Sequence, residues 1–180
     1  YGLNFSHREI RNQGKALIVE GATGLIQMYQ QGIENVVAPC GTALTENQVD
    51  LLNKRAQNPE KILLFDGDNA GLNNAHRVSM DLLGQDMKVG VIPLGFDPDE
   101  FLRKFGRKEF DQVILDSKSS LSFLVGRLSE GKTMGSEDKI RIAKEFRPAF
   151  TRMPENIIGV YTTELSDLLG FSRGDLEKIL

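Results

Sequence analysis

Apolar positions in the first hundred residues follow two alternating arrangements. Short unbroken runs at residues 16–20, 35–39, 62–65 and 88–94 have the length and content of buried strands. Between them, apolar residues recur at helical spacing. One set is Leu25, Ile26, Met28 and Tyr29, ending at Gly32. A second is Val49, Leu51 and Leu52. A third is Ala75, Val78, Leu82 and Leu83, in a helix expected over residues 72–83 and ending at Gly84. Thr45 with Gln48 three positions on reads as a capping box that opens the second of these helices. Repeated strand–helix–strand order calls for right-handed crossovers and a parallel sheet.

The pattern changes after Pro98. Residues 100–105, 110–115, 121–128, 138–150, 156–169 and 175–180 all read as helical, and no further strand is expected. Gly106, Gly131, Gly135, Pro148 and Pro154 punctuate this half. The fold class read from the pattern is α/β: a parallel sheet flanked by helices, followed by an all-helical C-terminal subdomain. The expected division is a lead-in segment at 1–13, an α/β domain at 14–104 and the helical subdomain at 105–180. There is no internal repeat and no low-complexity segment.

Composition narrows the chemistry. With 40% hydrophobic residues the chain of 180 can bury a substantial core. Its formal net charge is −3, so contacts with nucleic acid must come from local patches, not an overall basic field. Cys40 alone cannot form an internal disulfide, which fits a reducing compartment, and one Cys with two His leaves too few soft ligands for structural zinc. No apolar run reaches membrane-spanning length and no signal peptide is seen, so no membrane partner is expected. The first residue is Tyr1, not Met, and an excised fragment is expected.

The chemistry concentrates in three acidic elements. Phe65-Asp66-Gly67-Asp68-Asn69-Ala70-Gly71 follows a strand and opens a helix; Glu20 ends the first strand; Asp97-Pro98-Asp99-Glu100 follows the fourth. Carboxylates at strand ends of an open α/β sheet gather at one edge, where such sheets bind ligands. Hard cations such as Mg²⁺ prefer oxygen ligands. Glu20, Asp66, Asp68, Asp97 and Asp99 are therefore candidate metal ligands, with Glu20, Asp66 and Asp68 as the catalytic set. Simpler roles compete. Asp66 and Asp68 would serve as helix caps, Glu20 as a helix N-terminal acid, and Asp97 as the start of a turn. Gly41 and Thr42 offer backbone amides ahead of the helix at Thr45, for phosphate or for a tight turn. Arg77, Arg103, Lys104, Arg107 and Lys108 are candidate nucleotide or template contacts, with solvated helix faces as the ordinary alternative. Cys40 reads as a small buried side chain, and His7 and His76 as surface residues on polar helix faces. The tail from Glu164, with Gly170 at a turn and Ser172 and Asp175 as a capping box, has a helix–turn–helix rhythm. Its mixed charges point to packing or a partner rather than to reading DNA.

The glutamate at a strand end followed by Asp-x-Asp-x-x-Gly resembles a Toprim domain. More closely, the chain resembles the bacterial replicative primase of DnaG type. The resemblance is carried by Val36-Val37-Ala38, Gly41-Thr42-Ala43-Leu44-Thr45, Phe65 to Gly71, and Asp97-Pro98-Asp99-Glu100-Phe101-Leu102-Arg103-Lys104. Tyr1-Gly2-Leu3 and Glu164-Leu165-Ser166-Asp167-Leu168-Leu169-Gly170 extend it over nearly the whole chain. It implies that residues 14–104 form the Toprim domain of a primase catalytic core. It implies short RNA primers made on single-stranded DNA from ribonucleoside triphosphates, with Mg²⁺ or Mn²⁺ in its place. It implies a replicative helicase partner through a domain absent here, zinc held outside this fragment, and a cytoplasmic location in a bacterium or encoded by a phage. One departure stands out: the family usually continues its first motif as Glu-Gly-Tyr-Met-Asp, and here it is Glu20-Gly21-Ala22-Thr23-Gly24. That leaves two alternatives, a Toprim nuclease using the same metals and a catalytically weakened Toprim module acting in binding or assembly.

Overall fold

The structure, a computed structural model, describes residues 1–39, 41 and 43–180; Cys40 and Thr42 lie outside the described residues. The first half runs α1 (Leu3–Gln13), β1 (Lys15–Ile18), α2 (Ala22–Gln30), β2 (Val36–Val37), α3 (Glu46–Ala56), β3 (Glu60–Phe65), α4 (Asn69–Asp81) and β4 (Met87–Val91). The second half runs α5 (Pro98–Phe105), α6 (Arg107–Leu115), β5 (Lys118–Ser119), α7 (Ser120–Leu128), α8 (Ser136–Glu145), α9 (Arg147–Arg152), α10 (Glu155–Leu169) and α11 (Arg173–Ile179).

The strands form one sheet in the order β2-β1-β3-β4-β5. The first four are parallel, with Ile18 level with Val37 on one side and Leu63 on the other, and Phe65 level with Val91. Successive β3 side chains point to opposite faces, as the pleat requires. Leu63 and Phe65 join one apolar cluster; Ile62 and Leu64 join the other. Both faces are covered, which is why β3 reads as continuously apolar rather than alternating. The first cluster takes in Val49 and Leu52 of α3, Ala75 and Val78 of α4, and Leu121, Ile142, Phe146 and Leu165 from the C-terminal helices. The second takes in Leu25 and Met28 of α2, Phe101 and Leu102 of α5, and Phe110 and Ile114 of α6. Helices before and after residue 105 thus share both cores.

Three sequence expectations need correction. Residues 1–13 are more than a lead-in: residues 3–13 form α1, which buries Ser6 and Ile10 and is bounded by Gly2 and Gly14 in the left-handed region, at φ 85° and 64°. A fifth strand exists after Pro98. Lys118 and Ser119 pair antiparallel with Val89 and Lys88, and this polar pair has no hydrophobic signal to betray it. The single helix expected over 138–150 is two helices meeting at Phe146, just ahead of Pro148, whose missing N–H and fixed φ favour a fresh helix start. The capping box at Thr45 is present, with Gln48 N donating to Thr45 Oγ1 at 3.4 Å and Thr45 N donating to Gln48 Oε1 at 3.0 Å.

Candidate metal centre

Chain order sets the site. From β1 the chain crosses outward to β2, then returns to β3 on the other side of β1. The direction of winding therefore switches between β1 and β3, and a crevice opens beyond their C-terminal ends. Glu20 stands two residues after β1 and Asp66 directly after β3. Asp97 arrives from the β4–α5 connection.

Two glycines allow this approach. A Cβ on Gly67 would lie 2.3 Å from the Pro93 carbonyl oxygen, and one on Gly71 would lie 2.3 Å from the Asp66 carbonyl oxygen. Gly67 N also donates to Phe96 O at 2.9 Å, which fastens the β3 turn to the segment leading into Asp97. The Asp-Gly-Asp-x-x-Gly spacing therefore serves close backbone packing as well as chemistry.

The acids divide into groups. Asp68 is the N-cap of α4, accepting from Gly71 N at 2.7 Å, and Asp97 is the N-cap of α5, accepting from Glu100 N at 2.7 Å. Capping occupies one oxygen of each. Asp66 caps nothing among the described residues. Burial pushes its carboxyl up to about 6, and the charges of Glu20, Asp97 and Asp68 add to the rise. Glu20 Oε1 is buried with no hydrogen-bond partner among the described residues. An unpartnered buried carboxylate oxygen is costly, and a cation would offset that cost. Asp99 is different: it is 4% exposed. Its carboxyl is pushed up to about 6 by burial and by neighbouring Asp97, while Arg103 opposes the rise.

Beside the acids, a cavity of about 470 Å³ is lined by Glu20, Gly41, Phe65, Asn74 and Arg77, among others. Arg77 is held by Asn74, whose Oδ1 accepts from Nη2 at 2.9 Å. Gly41 takes a left-handed φ of 86°, and a Cβ there would meet none of the described residues within 4 Å. The structure thus brings Glu20, Asp66, Asp68 and Asp97 together, with Gly41 and Arg77 beside them, and Asp99 adjoins the group through Asp97. Among the described residues, no three His, Cys, Asp or Glu side chains converge on one point in coordinating geometry. Mg²⁺ keeps several waters and takes one or two carboxylates directly, so this donor set fits it through Glu20 and Asp66. Sequence reasoning missed Gln27, which meets Asp99 from α2; nothing in a helical glutamine marks it in advance.

Comparison with known proteins places this geometry. Residues 14–93 match the Toprim domain. The DNA primase of Myxococcus xanthus is 32% identical over 184 residues, covering 100% of this chain and 30% of its own length. The chain therefore spans under a third of that relative. A DNA primase domain from Pseudomonas aeruginosa superimposes with a TM-score of 0.83 at 27% identity, over 99% of this chain and 58% of that one. A DnaG primase catalytic domain bound to single-stranded DNA gives a TM-score of 0.74 at 25% identity, over 90% of this chain and 53% of that one. With the Toprim match, the strand-end acids and a likeness that runs from end to end, the chain belongs to the DnaG-type DNA primase family and aligns with its catalytic core.

Proposed function

We propose that this chain is the metal-binding part of a primase core that joins ribonucleotides into short RNA primers on a single-stranded DNA template. The observation that carries the reading is the buried Glu20 oxygen at the β1–β3 switch point, unpartnered among the described residues, beside an Asp66 whose charge is disfavoured by burial and then by its acidic neighbours.

Glu20 and Asp66 would hold Mg²⁺, or Mn²⁺ in its place, with Asp68 and Asp97 contributing through their second oxygens or through water. The chemistry such an ion would supply there is a lowered pKa of the attacking ribose hydroxyl and neutralisation of charge on the triphosphate. The chain's own residues do the rest. The capping bonds of Asp68 and Asp97 fix both carboxylates on rigid helix ends. Arg77, braced by Asn74 at the cavity wall, supplies positive charge for a phosphate. Gly41, and Thr42 beside it in sequence, would offer backbone amides to the same phosphates. Template, ribonucleoside triphosphates and a replicative helicase are the partners of the whole enzyme under this reading, and the cytoplasm its place of work. No helix among the described residues is long and apolar enough to cross a membrane.

The test replaces the aligned region of the Myxococcus relative with this chain and assays primer synthesis on single-stranded DNA. Primers are expected with Mg²⁺ and none after Glu20→Gln or Asp66→Asn. Undiminished synthesis in both variants would overturn the reading. Metal-dependent cleavage of DNA without synthesis would favour the nuclease alternative.

A further inference from the structure

Asp97 and Asp99 flank Pro98 at the start of α5 with their carboxyl groups close enough to interact, but their other neighbours differ. Asp97 is among the charges acting on Asp66, whereas Asp99 is not. The Asp99 carboxylate meets the side chain of Gln27 on α2. That carboxamide must present its nitrogen, because its oxygen would face carboxylate oxygens alone. So turned, it donates to both, at 3.2 Å to Oδ1 and closer still to Oδ2. Arg103, one turn along α5, brings Nη2 to 3.9 Å from Asp99 Oδ2. Gln31, one turn along α2, donates to the Asp99 carbonyl at 3.3 Å.

A carboxylate that grips a hard cation with both oxygens directs them at one point. In this chain the Gln27 amide nitrogen holds that point. Asp97 stands beside Asp99, so without Gln27 two adjoining carboxylates would share an unfilled position and attract a cation. The amide satisfies Asp99 as a neutral donor and removes the need for one. Gly24, one turn back on α2, adds no acid to this face, and a Cβ there would meet none of the described residues within 4 Å.

We propose that Gln27 plugs a second cation site formed by Asp97 and Asp99, so that the chain binds a single divalent ion, at Glu20 and Asp66. The proposal deepens the metal-site reading and rests on it. Asp99 is then a positioning residue that joins α5 to α2 and holds Asp97 at the cluster. Its oxygens are satisfied by hydrogen bonds rather than by metal.

The test counts Mn²⁺ ions bound per chain, by calorimetric titration with electron paramagnetic resonance of free Mn²⁺, in the 180-residue protein. Wild type is expected to bind one ion, lost in Asp66→Asn and kept in Asp99→Asn. Gln27→Ala is expected to bind a second, which disappears when Asp99→Asn is added. Gln27→Ser repeats the measurement with a side chain that keeps some polarity, in case the alanine variant melts early. Wild-type binding of two ions, one of them removed by Asp99→Asn, would overturn the proposal. So would a count of one in both Gln27 variants. Normal binding in Asp66→Asn would instead strike the assignment of the first site, and the Asp99-dependent ion of Gln27→Ala would still decide the role of Gln27.

Discussion

Replacing Asp66 with asparagine isolates the electrostatic cost of the metal-free centre. The side chain keeps its shape and loses its charge. In the fold, the Asp66 carboxyl sits at about 6 against an ordinary 3.8, chiefly through burial and then through Glu20, Asp97 and Asp68. A shift of that size is worth about 3 kcal/mol. Asp66 is only partly buried, and water screens part of the repulsion, so about 1–2 kcal/mol is the expected effect. The sign follows from linkage: the folded state holds this proton more tightly than the unfolded state. The stabilising protonated form is fully in place below about pH 3.8 and is lost as pH rises through about 6. At pH 7.5 without metal, Asp66→Asn should therefore be more stable than wild type. For a chain of this size that is a rise in Tm of about 3–6 °C. At pH 5 the difference should shrink. With Mn²⁺ the order should reverse, because an ion at a hundred times its Kd adds about 2.7 kcal/mol to wild type alone. Thermal melts followed by circular dichroism at both pH values, with chelator and with Mn²⁺, measure all four conditions. A variant that melts below wild type in chelator at pH 7.5, or that shows an equal Mn²⁺ response, would refute the reasoning.

Other outcomes follow from particular contacts. Gly24→Asp should fold with a change in stability within about 1 kcal/mol, because its Cβ meets nothing within 4 Å, and should show a larger Mn²⁺-induced rise in Tm. An unchanged metal response would count against a lost ligand at this position. Gly67→Ala and Gly71→Ala should each cost about 1–3 kcal/mol or more in urea unfolding, since each added carbon lies 2.3 Å from a carbonyl oxygen. Gly21→Ala, with open space around it, is the control and should cost far less. The 180-residue chain alone should make little or no primer on single-stranded DNA, because a net charge of −3 offers few cations to hold template and triphosphate together. Robust metal-dependent synthesis by the chain alone would contradict this.

The sequence by itself determined the elements whose cause is local. Four apolar runs gave the parallel strands, because a strand buried on both faces is apolar throughout, and the Thr45–Gln48 box marked a helix start that depends on neighbours three residues apart. The acidic motifs were legible because their spacing reflects turns at strand ends. The glycines of 66–71 recorded a close backbone approach before its partner was known. Helix α1 had a readable signal in Gly2 and Gly14, two residues suited to left-handed caps, but it took Ser6 hydrogen-bonding to Val36 O at 2.8 Å to give the helix a place to dock. Only the tertiary structure decided the rest. Strand β5 is two polar residues held by Lys88 and Val89, and pairing of that kind leaves no periodicity. Asp97 and Asp99 look equivalent in sequence, two residues apart on either side of Pro98. Their carboxyl groups stay close to one another, yet Asp97 also acts on Asp66 while Asp99 meets Gln27, 72 positions earlier in the chain. Which carboxylate meets the amide depends on how α2 and α5 pack, and that packing is fixed by apolar side chains such as Leu25, Met28, Phe101 and Leu102.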